Sequence, residues 1–324
     1  MRKKIRLTEA HGGGYPRRVM ALRLGLETAC ARAVGRLSRG LGRGGGTTVP
    51  GKLLWKLDPG AVDALASRLR EGVVLISATN GKTTTAAMCA HVLGPERRLA
   101  WNRAGANLLS GIASALVSAP DAELGLFEVD EAALPEAIAR TRPRAVLLGN
   151  LFRDQLDRYG ELEAVAARWR TAIEGLDPSA VVVVNADDPV VCDLTRGRSH
   201  VLRFGIDDPT QARPALQHAA DSKYCVRCGS PYVYEAAYVA HLGDYRCARC
   251  DHARPALDVA ARAIVLVGTA GARFSLATPE GEGDVELGLP GVYNVYNATA
   301  AAALATALGT SAATIRERLR SFGG

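Results

Sequence analysis

Apolar and polar positions along this chain fall into blocks rather than a residue-by-residue alternation. Short apolar runs at Val73-Val74-Leu75-Ile76, Leu124 to Val129 (interrupted only by Glu128), Ala145 to Gly149 and Val181-Val182-Val183-Val184 predict strands buried on both faces. Stretches of helical character separate them: Leu108 to Val117, Glu131 to Arg140 and Glu161 to Ile173. Two more strands are expected at Val201 to Phe204 and Ala263 to Val267, and a helical segment opens at Met20. Short strands interleaved with longer helices imply an α/β fold with a mostly parallel sheet, in which ligands sit at the carboxyl ends of the strands.

Composition agrees with a soluble globular chain: 48% of the 324 residues are hydrophobic and 23% charged. No apolar run is long enough for a membrane span, and the basic start lacks the apolar core of a signal peptide, so a cytoplasmic protein is expected. The net charge of +7 is concentrated in residues 1–46, where eleven Lys or Arg face only Glu9 and Glu27. That region reads as a basic N-terminal arm and helix. It is either a solvated tail or an attractor for an anionic membrane face or pyrophosphate lipid, and residues 1–19 are expected to be dispensable for folding. The Gly-, Thr- and Pro-rich stretch 44–52 punctuates the chain, and residues 47–324 form the main domain. Because the remainder is slightly acidic, no broad basic face for nucleic acid is expected.

The chemistry begins directly after the first apolar run, at Ala78-Thr79-Asn80-Gly81-Lys82-Thr83-Thr84-Thr85. This string reads as a phosphate-binding loop opening a helix whose N-terminal amides face an anion. Thr79, Asn80, Gly81, Lys82, Thr83 and Thr84 would hold the nucleotide. Lys82 would neutralise the β and γ phosphates, and the Thr83 hydroxyl would take one position on Mg²⁺. The first glycine of the common G-x-x-x-x-G-K-[ST] pattern is replaced by Ile76. Glu128, at the end of its strand, suits Mg²⁺ or its water shell, whereas Asp130 and Glu131 read as a solvated helix start.

Cys225-Val-Arg-Cys228 and Cys247-Ala-Arg-Cys250, with eighteen residues between the pairs, have the spacing of a four-thiolate structural zinc ribbon spanning 221–255. Disulfides, or a redox role for one pair, are the competing readings. Cys30, Cys89 and Cys192 have no partner spacing and read as ordinary buried thiols.

The T-N-G-K-T-T loop resembles that of the ATP-dependent Mur ligases and folylpolyglutamate synthetases, which couple a carboxylate to an amine through an acyl phosphate. Asn185-Ala-Asp187-Asp188-Pro189 is similar to the family's nucleotide-contacting turn, although an Asx-rich turn ending a strand is an alternative account. Gly291-Val-Tyr-Asn294-Val-Tyr-Asn297-Ala-Thr-Ala-Ala matches its G-x-x-N-x-x-N-x-x-A-A element, which implies nucleotide contacts from Asn294 and Asn297, with helix capping as the alternative for Asn294. Where most members have D-H-L-D-x-H, this chain has Asp154-Gln155-Leu156-Asp157-Arg158-Tyr159, so the metal role of the first histidine is not carried over. The helix after it offers Arg168 and Arg170 but no lysine to carbamylate. The N-L-F-R-D-Q-L-D-R-Y-G string, with Asn102 to Asn107 upstream, resembles one branch, the MurT-type subunits of lipid II isoglutaminyl synthase.

That branch implies ATP-driven activation of the D-glutamate α-carboxylate of lipid II at the membrane surface, with Lys82 and Glu128 as catalytic residues. It also implies substrate contacts from Asn107, Asp154, Asp157 and Arg158, and ammonia from a GatD-type glutamine amidotransferase partner. A folylpolyglutamate-type ligase and a non-catalytic nucleotide-binding scaffold are the alternatives. Because the stretch before the loop is short, the nucleotide-sugar domain of other Mur ligases is not expected ahead of it. Family members continue into a C-terminal domain beyond the position of Gly324, so the expectation is a chain that binds ATP but amidates poorly alone.

Overall fold

The computed structural model describes residues 24–34, 49–58, 60–102, 106–153, 161–213 and 221–323. Residues 24–34 are helical (α1), and α2 (Val49–Leu57) and α3 (Ala61–Ala66) precede the first strand. Then come β1 (Val73–Ser77), α4 (Lys82–Leu93), β2 (Leu99–Trp101), α5 (Leu109–Ser118), β3 (Leu124–Glu128), α6 (Leu134–Thr141) and β4 (Ala145–Leu148). After them follow α7 (Glu161–Glu174), β5 (Val181–Asn185), α8 (Pro189–Asp193) and β6 (Val201–Ile206). A hairpin of β7 (Tyr232–Val239) and β8 (Leu242–Cys247) leads to β9 (Val259–Leu266), β10 (Ala272–Thr278), β11 (Gly281–Leu287), α9 (Val292–Ala307) and α10 (Ala312–Arg320).

Nine strands form one sheet in the order β11-β10-β9-β6-β5-β4-β1-β3-β2. The run from β2 to β9 is parallel, and β9-β10-β11 is an antiparallel meander. Alternate residues of the central strands face opposite layers. Val74, Ile76, Ala145 and Leu147 pack with α4 and α9, while Val73, Leu75, Val146 and Leu148 pack with α5, α6 and Trp169 of α7. Both faces are therefore buried, which is why these strands read as continuous apolar runs, and each such aliphatic side chain contributes about 1.5–3 kcal/mol. Because the chain passes from β1 to the β3 side and then back across to β4, the order reverses at β1 and opens a crevice at its carboxyl end.

Several elements depart from expectation. The Val49-Pro-Gly stretch, read as punctuation, is the first turn of α2. Proline is tolerated there, and Gly51 lets α2 approach α5 so closely that an added Cβ would lie 1.8 Å from the Ser110 carbonyl oxygen. The α6 helix starts at Leu134, not Glu131, leaving 130–133 as a turn. The β9 strand starts at Val259: its parallel pairing to β6 uses Val259-Ala260-Ala261, an alanine-rich segment with weak strand signal, and the Ile264-Val265-Leu266 run lies beyond it. The meander strands β10 and β11 and the short edge strand β2 had no counterpart in the hydrophobic pattern. Of the basic arm, only 24–34 is described, and residues 1–23 and 35–48 lie outside. Among the described residues no helix is long and apolar enough to cross a membrane.

Candidate active site

The crevice is built where β1, β3 and β4 end. After Ser77 the chain turns through Thr79, Asn80 and Gly81 into α4. Gly81 sits at φ +82 as the α4 N-cap and supplies no side-chain cap, so the first-turn amides are left to an anion rather than to the protein. A Cβ on Gly81 would lie 2.2 Å from Asn297 Oδ1, and glycine is what allows α9 to close against the loop.

Lys82 Nζ donates to the Ala78 and Thr79 carbonyls and lies 2.9 Å from Glu131 Oε2. Glu131 is thus a member of the site, not the solvated helix residue its sequence context suggested. Its position after the end of β3 and the Trp169 indole, which donates to its carbonyl at 2.8 Å, hold it inward. The Thr83 hydroxyl donates to Glu128 Oε1 at 3.1 Å. Glu128 is only 3% exposed, and burial pushes its carboxyl above its ordinary 4.5, against the opposing pull of the Thr83 hydrogen bond and the Lys82 ammonium. Asn102 fixes the Glu128 backbone from both sides, accepting from its N–H at 2.9 Å and donating to its carbonyl at 2.7 Å. A hydroxyl, a carboxylate and an ammonium converging beside open helix amides can hold a triphosphate with its divalent cation.

The far wall comes from α9. The Thr85 hydroxyl donates to Asn297 Oδ1 at 3.2 Å, and Asn297 Nδ2 donates to Asn294 Oδ1 at 3.2 Å. Asn294 does not cap the helix: Gly291 is the N-cap, and Asn294 Nδ2 donates to the Pro290 carbonyl at 2.8 Å. Both asparagines are therefore brought to the phosphate loop. Asn185 lines the same crevice with Asn80, Lys82 and Asn297. Its Oδ1 accepts from Asp187 N at 3.0 Å. Asp187, by contrast, is fully buried and spends its carboxylate on protein groups: Arg254 Nη1 at 3.0 Å, Ile206 N at 2.8 Å and the Tyr296 hydroxyl at 2.7 Å. Burial pushes this carboxyl up while Arg254 holds it down. It anchors the turn that presents Asn185.

Asn150, after β4, was not singled out from sequence. Its Oδ1 accepts from Asn80 N at 2.9 Å, and its Nδ2 donates to the Asn80 carbonyl at 3.0 Å, so it cross-braces the phosphate loop. The adjacency of an Asn to the end of an apolar run was the available signal. Thr84 is half-buried in the first turn of α4, and the Asn107 carbonyl accepts from Asp130 N at 2.9 Å. Asp154, Asp157 and Arg158 lie outside the described residues. Of the arginines on α7, Arg170 is committed to Asp193 at 2.6 Å.

A second cluster sits on the β7–β8 hairpin. The thiols of Cys225, Cys228, Cys247 and Cys250 lie within 4.8 Å of one another, with Cys225 to Cys250 at 3.6 Å and Cys228 to Cys247 at 3.4 Å. These separations exceed the ~2.05 Å of a disulfide bond and approach the ~3.8 Å edge of a tetrahedron with Zn–S bonds of about 2.3 Å. Backbone N–H groups of Arg227, Arg249 and Cys250 donate to the Cys225 and Cys247 sulfurs at 3.4 Å. The cluster fits a four-coordinate soft metal. Of the remaining cysteines, Cys89 and Cys192 are buried, with burial pushing Cys192 up to about 11, whereas Cys30 is exposed, contrary to expectation, because it lies on the outer side of α1.

Comparison with known proteins adds the family. The Mur ligase middle domain matches residues 76–230. The lipid II isoglutaminyl synthase (glutamine-hydrolysing) subunit MurT of Streptococcus pneumoniae is 31% identical over 91% of this chain and 66% of its own length. The corresponding Staphylococcus aureus subunit is 28% identical over 90% of this chain and 65% of its own. This chain thus spans about two thirds of the length of those relatives. Among solved structures, a pseudomurein peptide ligase type C from Methanothermus fervidus superposes with a TM-score of 0.68 at 26% identity, covering 80% of this chain and 51% of that one. MurF from Acinetobacter baumannii shares the fold, at a TM-score of 0.60 and 20% identity, over 82% of this chain and 49% of its own.

Proposed function

The chain belongs to the Mur ligase family through its middle domain, and from that premise we propose that it is an ATP-dependent ligase subunit of peptidoglycan synthesis that activates a carboxylate of lipid II for amidation. The observation that carries this reading is the convergence of Lys82, Thr83 and Glu128 beside the open amides of α4. The names of the two MurT relatives favour lipid II as substrate over a folate.

In this reading the α4 amides and Lys82 bind the phosphates, while Thr83 and Glu128 hold Mg²⁺. Thr79, Asn80, Gly81 and Thr84 shape the loop, and Asn185, Asn294 and Asn297 line the nucleotide wall, with Asp187 acting behind Asn185. MgATP supplies a transferable γ-phosphoryl group. The D-glutamate α-carboxylate of the stem peptide attacks it, ADP leaves, and the acyl phosphate then loses phosphate to attacking ammonia, giving D-isoglutamine. Lys82 exchanges its carbonyl and Glu131 partners for the charge that develops on the transferred group. Asn107, with Asp154, Asp157 and Arg158, is assigned to the substrate side. The ammonia comes from a GatD-type glutamine amidotransferase subunit, and the reaction takes place at the cytoplasmic membrane face. The four cysteines hold a structural Zn²⁺.

The test is amidation of lipid II with MgATP and either glutamine or ammonium, with and without the amidotransferase subunit, following ADP release and the mass of the stem peptide together. Conversion of acid to amide coupled to ADP release supports the proposal. Tight MgATP binding with neither product from either nitrogen donor, in the presence of the partner, would overturn it.

A further inference from the structure

The hairpin that carries the four cysteines at its base extends well beyond them. Its far half is embedded in the main core: Ala236, Tyr238, Val239 and Leu242 belong to the same apolar cluster as α4 and α9, whereas Cys225, Tyr232, Tyr245 and Cys247 form a separate small cluster. At the turn between β7 and β8, Ala240 adopts φ +49, a left-handed conformation unfavourable for a residue with a Cβ. The next residue, His241, has no exposed surface. Its Nε2 lies 3.3 Å from Asp188 Oδ2, and its ring packs on Phe152 at 4.7 Å between centroids. Its Nδ1 is buried with no hydrogen-bond partner. Placing a polar ring here, with a strained backbone and an unsatisfied nitrogen, works against stability, and a leucine would pack at lower cost.

What the ring touches is the segment beside the phosphate loop. Asp188 Oδ2 also accepts from Leu151 N at 2.9 Å, and Phe152 N donates to Thr79 Oγ1 at 3.0 Å. Thr79 N donates in turn to the Asn150 carbonyl at 2.8 Å, next to the Asn150–Asn80 brace. The stem of the insertion holds the same segment at a second point, where Asp221 Oδ2 accepts from Arg153 N at 3.0 Å.

We propose that the cysteine hairpin is a clamp that sets the position of residues 150–153, and through Thr79 and Asn80 the shape of the phosphate loop, with His241 as its positioning residue. The inference rests on the nucleotide-binding reading of that loop, but the clamp itself is a mechanical claim that can be read without nucleotide.

The experiment uses the full chain with its metal, its zinc content measured in every sample. It compares wild type with His241→Leu, His241→Gln, whose amide nitrogen can replace Nε2–H, and Asp221→Ala at the half-buried stem, where folding is not at risk. Two readouts are taken: hydrogen exchange of the 150–153 amides in the absence of nucleotide, and the dissociation constant of MgADP by calorimetry. His241→Leu is expected to speed exchange of those amides and to weaken MgADP about tenfold with the zinc content unchanged. His241→Gln is expected to restore both to within about threefold, and Asp221→Ala to weaken MgADP about threefold while loosening Arg153. Unchanged exchange and affinity in His241→Leu, or a Gln variant no better than Leu, would overturn the clamp. Faster exchange in a chain whose wild type binds no MgADP would uphold the clamp and refute the nucleotide reading instead.

Discussion

At Glu128 a carboxylate is kept almost out of water with one hydroxyl as its hydrogen-bond donor, a cost that the Mg²⁺ proposed for this site would offset. Its folded pKa lies above the ordinary 4.5, so the folded state holds the proton more tightly than the unfolded chain does. The ionised group therefore opposes folding at pH values above its folded pKa, and that opposition fades as the pH falls through the folded value toward 4.5. Glu128→Gln should accordingly raise the unfolding midpoint of the nucleotide-free protein at pH 7, with the gain over wild type shrinking on acidification. The same variant should weaken Mg²⁺-dependent nucleotide binding by about tenfold or more. A lower midpoint at pH 7, read by thermal unfolding across pH, would show that the Thr83 hydrogen bond outweighs the burial. Glu131 makes a complementary point: its sequence neighbourhood gave no reason to separate it from Asp130, and only the late start of α6 and the Trp169 contact turn it toward Lys82.

Secondary elements here are joined by buried polar residues at their ends, and the β5–α8 turn shows how much depends on them. Asp187 ties β6, α9 and the segment after the hairpin through Ile206, Tyr296 and Arg254, while Asp188 caps α8 by accepting from Val190 N at 2.9 Å and Val191 N at 3.1 Å. Truncating Arg254 to Ala would strand the Asp187 charge in the core, a change that typically costs about 3–5 kcal/mol. Asp187→Asn removes that charge while retaining an acceptor for Ile206 and Tyr296, and should cost about 1–2 kcal/mol. Urea unfolding of the two variants checks the order, and a more damaging Asp187→Asn would mean that the pair is dominated by Arg254 desolvation. The Asn-Ala-Asp-Asp string was legible as a strand-end turn. That its first carboxylate, Asp187, faces inward was not, because its partners lie 19 to 109 residues away.

Across the whole molecule, the cysteine hairpin and the nucleotide crevice share one apolar core, so the hairpin is not an independently folding appendage. With zinc on the four cysteines, as proposed, stripping it with a chelator should lower the unfolding midpoint of the entire chain in one cooperative transition, with a loss of several kcal/mol of binding free energy spread over the fold. Calorimetry showing a separate low-temperature transition for the hairpin, with the main transition unmoved, would contradict this. The sequence by itself determined the parallel strands β1, β3, β4, β5 and β6, the phosphate loop and the cysteine knuckles. Each is a local signal, since buried strands need unbroken apolar runs, an anion-binding turn needs its Gly-Lys-Thr, and a thiolate site needs its Cys-x-x-Cys pairs. Only the tertiary structure decided the antiparallel meander, the start of β9, the inward turn of Glu131, the Asn150 brace and the meeting of His241 with Phe152. Those features depend on contacts between segments far apart in the chain, where burial and hydrogen-bond satisfaction select a conformation that no local pattern encodes.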